Sequence, residues 1–145
     1  MEHEIRHRPS YALLDVSLDP GERITAEAGA MVSHTASVDI ETKKGSDSIF
    51  QSLKTSVLGG ESFFRNTFSA PDGGSVTLAP PLPGDIVPYE LADETIYVQS
   101  GSYLAADSDM AIDTAFGGSK SFFGGEGLFL LELTGSGPAY FASYG

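Results

Sequence analysis

The chain has no cysteine. Neither a disulfide framework nor a thiolate metal site is open to it. Histidine is almost as scarce, with only His3, His7 and His34. A histidine metal site of the barrel type needs two histidines on one strand and a third that converges with them. These three are scattered through the leading segment and past Met31-Val32, so no metal and no cofactor is expected. Lysine is confined to Lys43, Lys44, Lys54 and Lys120. No apolar run approaches the ~20 residues of a membrane span. The opening Met1-Glu2-His3-Glu4 is polar and acidic, unlike a secretory signal. A cytoplasmic protein with no direct membrane span is the expectation.

Acid is present in excess. Twenty Asp and Glu oppose eight Lys and Arg, giving a net charge of −12. That balance argues against nucleic acid as a partner, because binding phosphates needs a basic surface. It argues equally against docking on anionic lipid. Self-repulsion of this size is relieved by salt, so the composition suits a salt-rich cytoplasm, as in a halophile, as well as an ordinary acidic surface. Hydrophobic residues make up 41% of the 145, enough for a domain with a real core. Seventeen glycines between short apolar runs predict many turns and short strands.

An internal repeat organises the chain. At an offset of 72, Glu22, Ile24, Gly29, Ile40 and Thr42 match Glu94, Ile96, Gly101, Ile112 and Thr114. The run Val57 to Phe64 then matches Phe122 to Phe129 at an offset of 65. Gly74 to Ala79 matches Gly137 to Ala142 at an offset of 63. Three blocks in one order indicate a duplication. The first copy covers about residues 11–82 and the second about 83–145, within a single domain.

The blocks alternate as strands do. Ile24, Ala26 and Ala28 alternate with Thr25 and Glu27; Ile96 and Val98 alternate with Tyr97 and Gln99. Period two predicts one buried face and one exposed face. Turns are predicted at Asp19-Pro20-Gly21, Asp72-Gly73-Gly74, Ala92-Asp93 and Gly135-Ser136-Gly137. The proline-rich stretch Pro80 to Asp85 reads as the crossover between copies. The fold class is all-β, a β-roll or double-stranded β-helix of two repeats. One short helix is expected in the first copy, where Ile49, Leu53 and Val57 recur every four residues over Ser48 to Leu58. It either caps the β core or contacts another subunit.

Catalytic constellations are poorly served. Glu61 and Glu126 hold equivalent positions after Gly-Gly turns, as do Glu22 and Glu94 in their own blocks. Equivalent positions favour equivalent structural roles, such as accepting backbone N–H bonds that fix a turn. The Gly-Gly pairs lack the Walker spacing and its Gly-Lys-Ser/Thr end. No Gly-x-Ser-x-Gly elbow precedes a helix. An enzyme is therefore not expected. Adjacent aromatics such as Phe63-Phe64 and Phe122-Phe123 cannot both point inward from a flat strand. With the helical stripe they nominate Ile49, Phe50, Leu53, Val57, Phe63 and Phe122 as an interface.

The run Pro20-Gly21-Glu22, Glu27-Ala28-Gly29-Ala30-Met31-Val32, Gly60-Glu61-Ser62-Phe63-Phe64, Pro83-Gly84-Asp85-Ile86 and Gly125-Glu126-Gly127 resembles the altered-inheritance-of-mitochondria type 24 family. The resemblance covers nearly the whole chain from about Tyr11. It implies a β-roll similar to the tryptophan RNA-binding attenuation protein, and self-association as a homotrimer. It supplies no catalytic residue. The fungal member that names the family is tied to mitochondrial inner-membrane organisation. Family members run on through a third related segment where this sequence reaches Gly145, so the chain reads as a short form or as part of a longer one. A non-enzymatic structural or interaction module, self-assembling, is the expectation. The alternative is a β-roll that holds a small ligand in an internal pocket with a few convergent polar groups.

Overall fold

The structure is a computed structural model and describes residues 1–44, 64–114 and 130–144. Among them, regular structure is strand throughout, apart from one 3-10 turn at Ser100–Ser102. The strands are β1 (Glu2–Arg6), β2 (Leu13–Leu18), β3 (Arg23–Glu27), β4 (Met31–His34), β5 (Asp39–Lys44), β6 (Phe64–Ser69), β7 (Gly74–Leu78), β8 (Gly84–Gln99), β9 (Tyr103–Asp107), β10 (Ala111–Thr114) and β11 (Leu130–Tyr144). The all-β roll expected from the alternation is what forms. The helix expected over Ser48 to Leu58 lies outside the described residues.

Two curled antiparallel sheets make a half-barrel. One runs β1-β2-β7-β4; the other runs β10-β11-β9-β3-β6-β5, with β8 also on β11. The duplication is written in the pairing. In the first copy Phe68 lies between Ile24 on β3 and Ile40 on β5. In the second, Leu133 lies between Ile96 on β8 and Ile112 on β10. These are the offsets of 72 and 65 seen in the sequence. The offset of 63 appears where β4 meets β7 and β9 meets β11: Met31 faces Leu78, and Tyr103 faces Phe141. A register shift follows each of these pairs, so even the bulge is duplicated.

The copies differ at their corners. In the first, β2 turns into β3 and β6 into β7 through separate tight turns, with Gly21 and Gly73 at positive φ and Gly73 N–H donating to Ala70 at 2.9 Å. In the second, the chain bends without breaking, so β8 and β11 are long strands of 16 and 15 residues. Asp93, with φ of 50°, and the register shift between Gly135 and Gly137 take up the bend. The second copy has fewer residues at both corners, leaving no room for a separate four-residue turn.

Core follows alternation in the outer strands and departs from it in the central ones, β3 and β9, with Tyr103 to Ala106 of β9 all buried. Leu14, Val16, Leu18, Ile24, Phe68, Val76 and Leu78 fill the first core, which Ile86, Leu104 and Tyr140 of the second copy complete. Leu91, Met110, Ile112, Leu131 and Leu133 form the second core. In β3, Ile24, Thr25 and Ala26 are all buried. β3 sits between β9 and β6, and its hydroxyl-bearing face is enclosed as well as its apolar one. Gly84 is fixed by close approach: a Cβ there would stand 2.2 Å from the Ser143 carbonyl oxygen. No helix among the described residues is long and apolar enough to cross a membrane.

Candidate functional site

The six residues nominated as an interface, Ile49, Phe50, Leu53, Val57, Phe63 and Phe122, all lie outside the described residues, as do Glu61 and Glu126. Among the described residues the structure instead presents several edge strands, two of which the repeat sets apart, and a polar cavity.

The edges follow from the duplication. β3 pairs β9, and that ladder joins the two copies: Ile24 faces Asp107, Thr25 faces Ala106, and Ala26 faces Ala105. The repeat makes β8 from Glu94 onward the counterpart of β3, and β4 the counterpart of β9. Among the described residues β8 pairs β11 and is otherwise bridged only at Gly84, to Tyr11, and β4 pairs only β7. Each therefore presents an edge whose twin elsewhere in the chain is paired. Unpaired edges are templates for further strands. Apolar side chains lie along both: Met31 and Val32 on β4, and Val87, Tyr89 and Tyr97 on β8, with Val32 and Tyr97 more than half exposed.

Glu22 and Glu94 play the shared structural part that repetition suggests. Glu22 accepts the Asp19 N–H at 2.8 Å, and Glu94 accepts the Ala92 N–H at 3.1 Å. Each closes the corner before its own strand segment. Hydrogen bonding to the N-terminal ammonium, then to the Asp19 N–H, holds the Glu22 carboxyl below its usual range. Arg6 and Asp15 pair across β1 and β2, where Thr77 also donates to Asp15 at 2.6 Å. Those contacts lower the Asp15 carboxyl, the Arg6 hydrogen bond first. Arg8 donates both arms of its fork to Asp85 at 2.8 and 3.0 Å, and Asp85 is lowered by that bond.

The polar cavity, about 50 Å³, is lined by Arg23, Thr25, Lys43, Arg65, Thr67 and Ser108. Thr25 and Thr67 face each other across β3 and β6, their hydroxyls 3.0 Å apart. Both threonines and Arg65 are buried. The acidic composition pointed away from any basic patch, yet three cationic side chains converge here. They come from three strands spread over more than forty residues of sequence, so linear spacing carries no trace of them. Within single strands Arg23 and Thr25, and Arg65 and Thr67, are spaced by two and share a face; it is the register that sets these faces and Lys43 side by side.

His3 packs against Tyr140. Its Nδ1 and the Tyr140 hydroxyl are hydrogen-bonded at 2.9 Å, and the rings meet edge to face at 5.1 Å. Burial, helped by Glu90 and Asp107, pushes the Tyr140 phenol up to about 12. His34, at the end of β4, has its Nδ1 2.7 Å from the Thr35 carbonyl oxygen.

Comparison with known proteins fits this geometry. A family model described as mitochondrial biogenesis AIM24 matches residues 3–145. The chain belongs to the AIM24 family. An uncharacterised protein of Streptococcus pyogenes serotype M6 is 30% identical over 152 residues, which covers all of this chain and 61% of the relative. A Streptococcus pyogenes protein solved by X-ray crystallography superposes with a TM-score of 0.77 at 27% identity, covering 99% of this chain and 65% of the other. This AIM24 chain thus spans less than two thirds of the length of either relative.

Proposed function

We propose that the chain is a self-assembling structural or interaction module, not an enzyme, and that it assembles through its two open edges. The observation that carries this reading is the β3–β9 ladder. It brings a β3-type edge against a β4-type edge inside one chain. Among the described residues one more edge of each type stands without such a partner, on β8 and on β4. Transposing the internal register by the repeat offset sets Ile96 opposite Thr35, Tyr97 opposite His34 and Val98 opposite Ser33 of a second copy. Such a contact is head-to-tail, and it closes into a ring when the rotation per subunit allows. Three subunits is the number that the family resemblance implies. A cytoplasmic setting without a nucleic-acid partner belongs to the same proposal, supported by the absence of cysteine and by the net charge of −12.

Light scattering on the purified chain, in salt sufficient to screen its charge, tests this. The expected result is a discrete oligomer that Val32→Lys or Tyr97→Lys converts to monomer, since a lysine on an exposed edge blocks pairing without touching the core. A clean monomer at high protein concentration, or an oligomer indifferent to both substitutions, contradicts the proposal.

A further inference from the structure

Cationic side chains are few in this chain, and among the described residues Arg6 and Arg8 are each committed to an aspartate. The other three whose side chains are described, Arg23, Lys43 and Arg65, surround one cavity. Two glutamates stand beside them. Glu41 lies 3.8 Å from Arg23, beyond hydrogen-bonding distance, and Glu27 faces Arg65 across the β3–β6 ladder. Among the described side chains at the cavity, three cations thus stand with two carboxylates beside them, in a protein whose net charge is −12. Arg65 is only 4% exposed.

The duplication shows that the fold does not require this lining. At the matching positions of the second copy, Arg23 is replaced by Thr95, Thr25 by Tyr97, Arg65 by Leu130 and Thr67 by Glu132. The ladder residues around them keep their apolar character: Ile24 and Ile96, Phe68 and Leu133, Ile40 and Ile112. One copy builds a cationic, hydroxyl-lined cavity on a backbone that the other copy forms without it.

The geometry points to an oxyanion site: the cavity binds a phosphate group, with Arg23, Lys43 and Arg65 neutralising its charge, and with Ser108 and one hydroxyl of the hydrogen-bonded Thr25–Thr67 pair donating to its oxygens. Guanidinium forks match phosphate oxygens, and a lysine adds a point charge. A volume of about 50 Å³ is several times the ~10–15 Å³ that one water needs, so it holds a few waters or one small anion. It is too small for more, so any organic part of a phosphate ester would lie outside it. This gives the small-ligand expectation a place and a chemistry. The site is built within one chain, so its test does not bear on edge pairing.

The test is calorimetric titration of inorganic phosphate into the full chain, with ionic strength held constant by chloride. Saturable one-site binding is expected, with sulfate competing. Arg23→Gln combined with Lys43→Gln, both at exposed positions, is expected to weaken phosphate at least tenfold. Thr95→Ala, at the corresponding place in the second copy, should leave it unchanged. Arg65→Lys keeps the charge but removes the fork, and should weaken binding while circular dichroism stays that of the folded protein. Methyl phosphate is the second arm: retained affinity assigns the site to phosphate monoesters, and lost affinity assigns it to the free anion. No saturable heat with phosphate, or an affinity unchanged in the Arg23, Lys43 double variant, overturns the proposal.

Discussion

Tyr140 and His3 are joined by a hydrogen bond of 2.9 Å although 137 residues separate them in sequence. The bond ties β1 to β11, and hence the opening strand to the second copy. It places a phenol in the first core, where it makes the alkaline limit of the fold.

The Tyr140 phenol is raised to about 12 in the fold against an ordinary 10. Below pH 10 it is neutral in both states, and its contribution is fully present. Above that, the unfolded chain releases its proton first, so stability falls as pH rises towards the folded value. The loss approaches ~2–3 kcal/mol once that value is passed. Urea unfolding across this range should show the decline, and Tyr140→Phe should flatten it. At neutral pH the same variant should cost about 1 kcal/mol through the lost hydrogen bond.

The acid limb has a different origin. Asp15, Asp85 and Glu22 are held below their ordinary range by Arg6, by Arg8 and by the N-terminal ammonium respectively. Their contribution is present above the unfolded carboxylate values and is lost as pH falls through the folded ones. Thermal unfolding should therefore drop steeply below the ordinary carboxylate range. Asp15→Asn should make that drop shallower, because it removes the best connected of the three.

Each of the two ladders should contribute its own share of the core. Phe68 and Leu133 each sit fully buried between two isoleucines. Phe68→Ala should cost about 3–5 kcal/mol and Leu133→Ala about 2–5 kcal/mol, by denaturant unfolding. A loss at Leu133 smaller than ~1 kcal/mol would show that the second copy does not contribute its own core.

These ladders were legible in the sequence because duplication preserves what alternation needs. Ile24, Ile40, Ile96 and Ile112 keep spacing and apolar character, and the turn residues between them keep their chemistry. The continuous form of β8 and β11 was not legible. Ala92-Asp93 and Gly135-Ser136-Gly137 carry turn residues, but here they bend a strand that continues. The cavity was hidden for another reason. Thr25 and Thr67 lie on the face that period two assigns to solvent, yet both are buried in the fold.

Charge should show in salt dependence. A net charge of −12 repels itself in the compact state. Raising ionic strength from low to physiological values shortens the screening length to about 8 Å. The midpoint of thermal unfolding should rise over that interval with chloride alone, before any anion-specific effect is considered.

The most direct test of edge assembly uses the cysteine-free background. Tyr97→Cys and His34→Cys, prepared as separate chains, are mixed and oxidised. Directly opposed residues of an antiparallel pair lie about 4.5–5.5 Å apart between Cα atoms, within reach of a disulfide. Thr25→Cys with Ala106→Cys in one chain calibrates the reaction, because those residues face each other in the structure. The edge-pairing account predicts a covalent dimer between the two variants, formed much faster than by either variant alone. A mixture that stays monomeric while the calibrating pair closes would contradict it.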